Sequence, residues 1–299
     1  MQRAIVVGGM GFLGLHTVRR LAQEGYRVFA THRLGKTPPA LANVTWLTSD
    51  LAQPHATRDW PDACDHLIYL SQSRLYRQFP DAADDIFQVN VAGVQQALSY
   101  ARRANVRSAV FASSGSVYTN SRQPVKETDV IDPNSPRNFY AATKLAAEIL
   151  ISTYNAILPV TQLRIFFPYG DGLGPEMLFA SLIKKVREGT PIQLHGHDGL
   201  TGNPVHAGDV AETIERCLSL KRGAIYNLGG PETLSLRQIG ETIGEIVGRR
   251  PVFECKPNDS APVIVGDMTA MRAALGWAPA TRFADGLRMW LGKSAKAAA

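Results

Sequence analysis

Several features that the sequence lacks narrow the class of protein. Its 299 residues include only three cysteines, Cys64, Cys217 and Cys255, with no CxxC pair and no histidine at metal-ligand spacing. This argues against a disulfide framework and a structural metal, so we expect reduced thiols. The sequence also has no apolar stretch of the length that a signal peptide or a membrane span needs. We therefore expect a cytoplasmic protein with no membrane partner.

A basic stripe with interleaved aromatic residues is missing too, although 32 Lys and Arg outnumber 26 Asp and Glu. Basic pairs such as Arg19-Arg20 fall near the ends of predicted helices, where cations complement the helix dipole. The charge pattern therefore predicts no nucleic-acid partner. His195, His197 and Asp198 invite a metal-site interpretation, but in a glycine-containing loop such residues are more typical of a surface turn, so no metal is expected.

The first two thirds of the sequence alternate short β-branched runs with longer amphipathic stretches. This pattern predicts an α/β fold, a Rossmann-type doubly wound parallel sheet with crossover helices. The predicted strands lie near 3–8, 26–32, 44–49, 66–71, 107–113 and 160–167, and the helices near 12–24, 81–104 and 138–155. After Gly170 the segments become short, which predicts a smaller C-terminal α/β lobe. We expect one domain over 1–170, to which 207–230 returns, and a second lobe mainly over 171–299.

A glycine-rich turn follows the first predicted strand and precedes a helix, the order that a dinucleotide site requires. The turn reads Gly8-Gly9-Met10-Gly11-Phe12-Leu13-Gly14. Gly9, Gly11 and Gly14 fit GxGxxG, but we favour the GxxGxxG register that begins at Gly8. Glycines let backbone N–H groups approach a pyrophosphate at the positive end of the helix. The turn predicts an NAD(P)-binding domain over 1–170.

The end of the second predicted strand bears on which dinucleotide binds. An acidic residue there would bind a ribose 2′-hydroxyl, but the sequence has Arg33, with Lys36 nearby. An arginine could pair with a 2′-phosphate instead, which favours NADP(H). The alternative is a solvated loop arginine, which leaves NAD(H) possible.

A tyrosine and a lysine one helical turn apart are candidates for proton transfer. Tyr140 and Lys144 open the helix predicted at 138–155, so their side chains share one face. An ammonium ~4 Å from the phenol, at an effective dielectric of ~20, would contribute about 4 kcal/mol and bring its pKa near 7. Ser114, after the strand near 107–113, could hydrogen-bond the same substrate oxygen. An ordinary helix surface and a polar turn are the alternatives.

Together these residues resemble the extended short-chain dehydrogenase/reductase family, in its NAD-dependent epimerase/dehydratase branch, over nearly the whole chain. The resemblance implies that Tyr140 is the general acid/base, that Lys144 lowers its pKa and holds the nicotinamide ribose, and that Ser114 orients the reacting oxygen. The sequence also resembles the family at Asn90, which matches an asparagine that the family carries in a helix. The residues that the resemblance assigns to the cofactor are Gly8, Gly11, Phe12, Leu13, Gly14, Arg33, Asp50, Leu51, Leu70, Ser71, Tyr140, Lys144 and Phe166.

The resemblance also implies a sugar-nucleotide substrate, bound by the second lobe. Gly115 and Ser116 stand where dehydratases of the branch carry acidic residues, which disfavours dehydration and decarboxylation. An arginine expected near 201–204 is absent. The predicted substrate-binding residues are Ser116, Phe167, Asn203 and Lys256; Phe167 stands where many relatives have asparagine, and Lys256 lacks the bidentate geometry of an arginine.

Three functions follow, in order of preference. The first is NADPH-dependent reduction of a keto-sugar at a Ser-Tyr-Lys site. The alternative is a nucleotide-sugar epimerase that retains NAD, and the third is a non-enzymatic dinucleotide sensor. Relatives dimerise through two helices of each subunit, which predicts a homodimer formed by 81–104 and 138–155. The proposed contributors, which could equally be buried against their own sheet, are Val91, Val94, Leu98, Leu145 and Ile149.

Overall fold

Strands and helices alternate along the first part of the chain. The structure is a computed structural model that describes residues 1–35, 37–118, 121, 123–135, 137–256 and 261–297. The strands are β1 (Arg3–Val7), β2 (Arg27–His32), β3 (Val44–Thr48), β4 (His66–Tyr69), β5 (Ser108–Ser114), β6 (Val160–Ile165), β7 (Pro168–Tyr169), β8 (Ile192–His195), β9 (Thr201–Gly202), β10 (Val205–His206), β11 (Ala224–Leu228), β12 (Leu234–Ser235), β13 (Phe253–Lys256) and β14 (Val263–Ile264).

The helices occupy the remaining regular segments. They are α1 (Phe12–Gln23), α2 (Ala83–Phe87), α3 (Gly93–Arg103), α4 (Phe139–Ser152), α5 (Leu178–Glu188), α6 (Ala207–Cys217), α7 (Leu236–Val247), α8 (Thr269–Leu275) and α9 (Phe283–Ala297). A π-helical stretch, Gln88–Ala92, joins α2 to α3 within the helix expected over 81–104. None of the described helices is long and apolar enough to cross a membrane.

Seven strands form the main sheet, in the order β11-β6-β5-β4-β1-β2-β3. The pairs β1–β2, β1–β4, β2–β3 and β4–β5 are parallel. Ala4 through Val7 in the central strand are all fully buried, because helices cover both faces of such a sheet. The predicted Rossmann-type doubly wound sheet is confirmed, and its carboxyl edge is where the turns after β1, β4 and β5 converge.

The chain divides into two compact units. The first contains 1–119, 131–164 and 211–226, and the second contains 120–130, 165–210 and 227–299. The chain passes from the first unit to the second between residues 164 and 165, near the end of β6, whereas the expected boundary lies at 170. The segment that returns to the first unit is 211–226, which is shorter than the expected 207–230. The sequence pattern gives no sign that 120–130 joins the second unit. There, the backbone N–H of Val125 donates to the carbonyl of Val265 (2.8 Å), which attaches this segment beside β14.

The second unit has its own aromatic core. The ring of Tyr169 lies 4.9 Å from that of Phe283 and 5.6 Å from that of Phe179, measured between centroids. Strands β8 and β13 pair in parallel beside it. A capping box starts α7: Ser235 accepts from the backbone of Gln238, and the Gln238 side chain accepts from the backbone of Ser235.

Candidate active site

The glycine turn after β1 has the geometry of a phosphate cradle. Gly8 has a φ of +86°, and a Cβ at this position would lie 2.7 Å from the Ser71 hydroxyl oxygen. A Cβ on Gly14 would lie 2.0 Å from the carbonyl oxygen of Gly8. The first turn of α1 carries no acidic residue, so its N-terminus offers backbone N–H groups to an anion. These observations fit the pyrophosphate of a dinucleotide in the register that begins at Gly8.

The other residues assigned to the cofactor in the first unit follow neighbouring strands. Arg33 is half-buried just after β2, whereas Lys36 lies outside the described residues. Asp50 follows β3 and accepts a hydrogen bond from the backbone of Ala52 (3.1 Å), and Leu51 is buried in the core. Leu70 and Ser71 follow β4.

Two serines form a hydroxyl pair at the carboxyl end of β5. The Ser116 hydroxyl donates to the Ser114 hydroxyl oxygen (2.9 Å), and the Ser116 backbone N–H reaches the same oxygen (3.2 Å). Ser114 is in turn hydrogen-bonded to the Tyr140 phenol. Ser116, predicted to contact substrate, is thus hydrogen-bonded to Ser114, the predicted catalytic serine.

Tyr140 and Lys144 lie in the first two turns of α4, whose N-terminus is capped by Asn138. The Lys144 ammonium is buried, donates to the carbonyl oxygen of Ala112 (2.9 Å), and lies 5.8 Å from the centroid of the Tyr140 ring. The structure thus brings Ser114, Tyr140 and Lys144 together. The ring of Tyr76, in the loop after β4, packs 5.3 Å from that of Tyr140; sequence reasoning missed this residue.

Burial controls the pKa values of both groups. Burial raises the pKa of Tyr140 to about 12, and a charge interaction with Tyr76 raises it further. A hydrogen bond from Ser114 acts in the opposite direction and lowers this pKa. Burial also lowers the pKa of Lys144 to about 8, against the charge of Glu148, which raises it. The expectation that Lys144 brings the phenol near neutrality does not hold for the protein's own groups, because desolvation dominates and the ammonium is bonded to a backbone carbonyl.

A buried ion pair joins α4 to β6, one helical turn beyond Lys144, the predicted catalytic lysine. Glu148, one turn after Lys144 in α4, is 3% exposed, and Arg164 in β6 is 4% exposed. The Arg164 guanidinium holds the carboxylate through two nitrogens, at 2.7 Å and 3.0 Å. Sequence reasoning missed Glu148, and the signal available was its spacing of four from Lys144.

A second hydrogen-bonded chain supports α4 from the π-helical stretch. The Asn90 side chain accepts from the backbone of Ser73 (3.0 Å) and donates to the Thr143 hydroxyl (3.0 Å), which donates to the carbonyl of Tyr140 (2.8 Å). Asn90 thus links the loop after β4 to the first turn of α4. Through Thr143 this link reaches the backbone carbonyl of Tyr140.

The remaining assigned residues belong to the second unit. Phe166 is buried against Gly266, and Phe167 adopts a φ of +45° with its ring packed on Gly202. Lys256 is exposed at the end of β13.

Asn203, predicted to bind substrate, has both polar ends of its side chain hydrogen-bonded within the second unit. Its side chain is 3% exposed, its amide nitrogen donates to the carbonyl of Gly266 (3.0 Å), and its amide oxygen accepts from the N–H of Gly266 (3.1 Å). One backbone residue engages both polar ends of this side chain. The geometry therefore favours a bracing role for Asn203 over the predicted substrate contact.

The cysteines and the His197–Asp198 pair are the residues that the sequence offers as candidate metal ligands. Cys64 and Cys217 are buried free thiols and Cys255 is an exposed one. His197 is hydrogen-bonded to its neighbour Asp198 (2.9 Å). Within the described ranges, no group of three or more His, Cys, Asp or Glu side chains could hold a metal ion.

The fold and these groups define an NAD-dependent enzyme of the extended short-chain dehydrogenase/reductase type. The model of the NAD dependent epimerase/dehydratase family matches residues 4–229. The chain belongs to that family.

The similar proteins include two UDP-sugar 4-epimerases and a protein whose structure contains a UDP-sugar and NAD. UDP-glucuronate 4-epimerase 1 of Arabidopsis thaliana is 28% identical over 324 residues, covering 96% of this chain and 75% of the relative. The structure of MoeE5 in complex with UDP-glucuronic acid and NAD is 25% identical, with a TM-score of 0.84 and 99% of both chains covered. The UDP-glucose 4-epimerase of Thermus thermophilus, in complex with NAD, is 25% identical, with a TM-score of 0.78 and coverage of 97% of this chain and 98% of that one.

Proposed function

We propose that this protein is a UDP-sugar 4-epimerase that retains NAD, with UDP-glucuronate as its first candidate substrate. The observation that carries the proposal is the assembly of Ser114, Tyr140 and Lys144 at the carboxyl edge of the sheet, beside a glycine cradle that fits a dinucleotide. Similarity to UDP-glucuronate 4-epimerases, and to MoeE5 with UDP-glucuronic acid and NAD, supports the choice of substrate and cofactor.

This proposal replaces the preferred sequence prediction. Arg33 led us to expect NADPH-dependent reduction of a keto-sugar, but the similar structures contain NAD, which favours the alternative of an epimerase. Arg33 is then better explained as a loop arginine beside the adenosine ribose. A role limited to dinucleotide sensing loses its support, because the catalytic groups are assembled.

The chain's own residues would act on the C4 hydroxyl of the sugar. The cradle at Gly8 and Gly14 would hold the pyrophosphate, and bound NAD supplies the hydride acceptor and donor and a positive charge near the phenol. Tyr140 would take the proton of the C4 hydroxyl and later return it, with Ser114 orienting the oxygen. Lys144 would supply positive charge beneath the tyrosine ring. The second half of the reaction requires the 4-keto sugar to present its other face, so no second acid/base residue is needed.

The test starts from protein purified without added cofactor. The released dinucleotide is identified by chromatography, and UDP-glucuronate is supplied without NAD(H) or NADP(H) while UDP-galacturonate, its C4 epimer, is measured. We expect retained NAD and interconversion of the two sugars. A protein that binds NADPH reversibly and consumes it with a keto-sugar would overturn the proposal in favour of the reductase.

Arg33 provides a separate check on the cofactor. If NAD is the cofactor, Arg33→Ala leaves both the identity of the retained dinucleotide and the rate of epimerisation nearly unchanged. Loss of retained NADP from this variant would restore the original interpretation.

We also propose that the protein forms a homodimer through α2 and α4. Val91, Val94 and Leu98, which sequence reasoning offered as contributors, are buried in the core of their own unit. Ile149, another of the predicted contributors, is exposed (61%) on α4, and Phe87 is exposed (51%) on α2. The cytoplasmic location stays a prediction.

A further inference from the structure

Glu148 is a buried carboxylate with contacts from several elements of the first unit. The guanidinium of Arg164 in β6 donates two hydrogen bonds to it, and the Ser113 hydroxyl in β5 donates another. A third nitrogen of Arg164 donates to the hydroxyl of Tyr118 (2.7 Å). Tyr118 follows the short turn Gly115–Val117. One carboxylate therefore connects the sheet, α4 and the end of the catalytic serine turn.

Each of these contacts is adjacent to a catalytic group. Glu148 lies one turn after Lys144 on the same face of α4, and its charge raises the pKa of Lys144. Ser113 precedes Ser114 in β5, and the two side chains lie on opposite faces of the strand, one toward Glu148 and the other toward Tyr140. Within the described part of the chain, Glu148 is thus hydrogen-bonded to Arg164 and to Ser113, the neighbour of a proposed catalytic residue, but to none of the catalytic side chains themselves.

Burial of this pair is not explained by stability. Removing two ions from water is costly, and well-packed apolar residues of similar size often stabilise a core equally well. Here a third buried charge, the ammonium of Lys144, belongs to a residue one helical turn before Glu148 and interacts with its charge. Glu148 is the counter-charge that this ammonium has on its own helix, and Arg164 shares that counter-charge.

We propose that Glu148 and Arg164 are positioning residues of the catalytic site, which fix the direction of the Lys144 ammonium and set how readily it keeps its proton. This inference rests on the Ser-Tyr-Lys chemistry of the proposed function. The groups that face Lys144 are Tyr140 and Glu148 on its own helix, the Ala112 carbonyl and Phe111 ring on β5, and, beyond them, Arg164 on β6, Tyr118 and Tyr76.

The two partners of the pair should have opposite effects. Glu148→Gln keeps the size of the side chain but removes the negative charge, so Lys144 loses its proton at lower pH. Arg164→Gln removes the cation that is paired with the Glu148 carboxylate. The negative charge of Glu148 then acts on Lys144 without that compensation, so Lys144 keeps its proton to higher pH. A defect of packing alone would not move the titration of Lys144 in opposite directions.

The experiment titrates isotope-labelled lysine by NMR in the NAD-loaded protein, with the Lys144 signal assigned by its loss in Lys144→Met. We expect the midpoint for Lys144 to fall by roughly one to three pH units in Glu148→Gln and to rise in Arg164→Gln. The alkaline limb of the kcat profile should move in the same directions. The control is Glu212→Gln, which removes a partly exposed carboxylate with its own arginine partner, Arg216 (2.7 Å), and should move neither.

An unchanged Lys144 midpoint in Glu148→Gln overturns the inference. If that variant does not fold, Ser113→Ala serves instead: Ser113 is buried and contacts Glu148. We expect it to lower kcat several-fold with KM for the UDP-sugar unchanged, and an unchanged kcat would refute the positioning role. The titration needs no turnover, so a wild-type protein that fails to epimerise UDP-sugars would count against the proposed function alone.

Discussion

The Lys144 ammonium lies 5.8 Å from the centroid of the Tyr140 ring but donates its hydrogen bond to the carbonyl oxygen of Ala112, 2.9 Å away. The lysine thus faces the ring of the phenol, while Ser114 is hydrogen-bonded to its hydroxyl. These two neighbours have different effects. In the proposed mechanism the serine orients the proton that is exchanged, whereas the buried lysine places a positive charge near the ring.

Removing the phenolic hydroxyl should abolish proton transfer without affecting cofactor retention. We expect Tyr140→Phe to lower kcat by about 10²–10⁴-fold, the usual contribution of a general acid/base. The retained NAD, measured by absorbance after release, should match the wild type. Tyr154→Phe is the control, because Tyr154 follows the same helix and its hydroxyl accepts a hydrogen bond from the Gln95 side chain (2.8 Å) at an exposed position. Full turnover by Tyr140→Phe would exclude the proposed role.

Replacing the buried lysine should abolish activity while sparing stability. Because burial lowers the pKa of Lys144 to about 8, the unfolded chain binds this proton more tightly than the folded chain does. The free energy of unfolding should therefore rise with pH between about 8 and about 10.4, and the charged lysine costs at most roughly 3 kcal/mol at neutral pH. Lys144→Met should lose activity, flatten this pH dependence, and unfold at an equal or higher temperature.

Thermal unfolding at neutral and alkaline pH measures this effect. Lys184→Met is the matched control, since Lys184 is an exposed helical lysine with a side chain 71% accessible. It should leave both activity and the pH dependence of unfolding unchanged. A Lys144→Met protein that is clearly less stable at neutral pH would show that the buried ammonium stabilises the fold.

Local pattern was sufficient to predict the first unit. The strands β1 to β6 fall within a few residues of their predicted positions, and the central strands β1 and β4 are short, buried, mainly apolar runs. The glycine turn and the Tyr140–Lys144 spacing are equally local, since they need only a strand, a turn and a helix. The π-helical stretch around Asn90 was not visible, because its extra residue per turn leaves the composition of the helix unchanged.

Contacts between distant segments could not be predicted in this way. Glu148 and Arg164 meet only because α4 packs on the sheet beside β6, and Asn203 reads as polar loop sequence although Gly266 engages both ends of its amide. The sign of the Tyr140 pKa shift failed for the same reason. Spacing shows that a lysine is near, but burial is a property of the assembled site.

The absence of a side chain at Gly8, which lies close to Ser71, should be needed for NAD retention. This effect should be separate from the strain that a positive φ imposes on any other residue. Gly8 and Gly25 both adopt positive φ, +86° and +82°, but only at Gly8 would a Cβ collide with a neighbour, the Ser71 side chain and backbone. Both Gly8→Ala and Gly25→Ala therefore incur a backbone cost of about 1–2 kcal/mol. We expect Gly8→Ala alone to lose the retained NAD, measured per mole of protein, so equal NAD contents in the two variants would contradict the cradle.

The exposed isoleucine of α4 should decide the oligomeric state. A glutamate placed in an apolar interface would bury an unpaired charge, which disfavours association strongly. We expect the wild type to sediment as a dimer at micromolar concentration and Ile149→Glu to sediment as a monomer. Ile157→Glu is the control, because Ile157 is 66% exposed, close to the 61% of Ile149, but lies beyond the end of α4. A monomeric wild type, or dissociation by both substitutions alike, would remove α4 from the interface and leave Phe87 and Ile149 as solvent-exposed side chains.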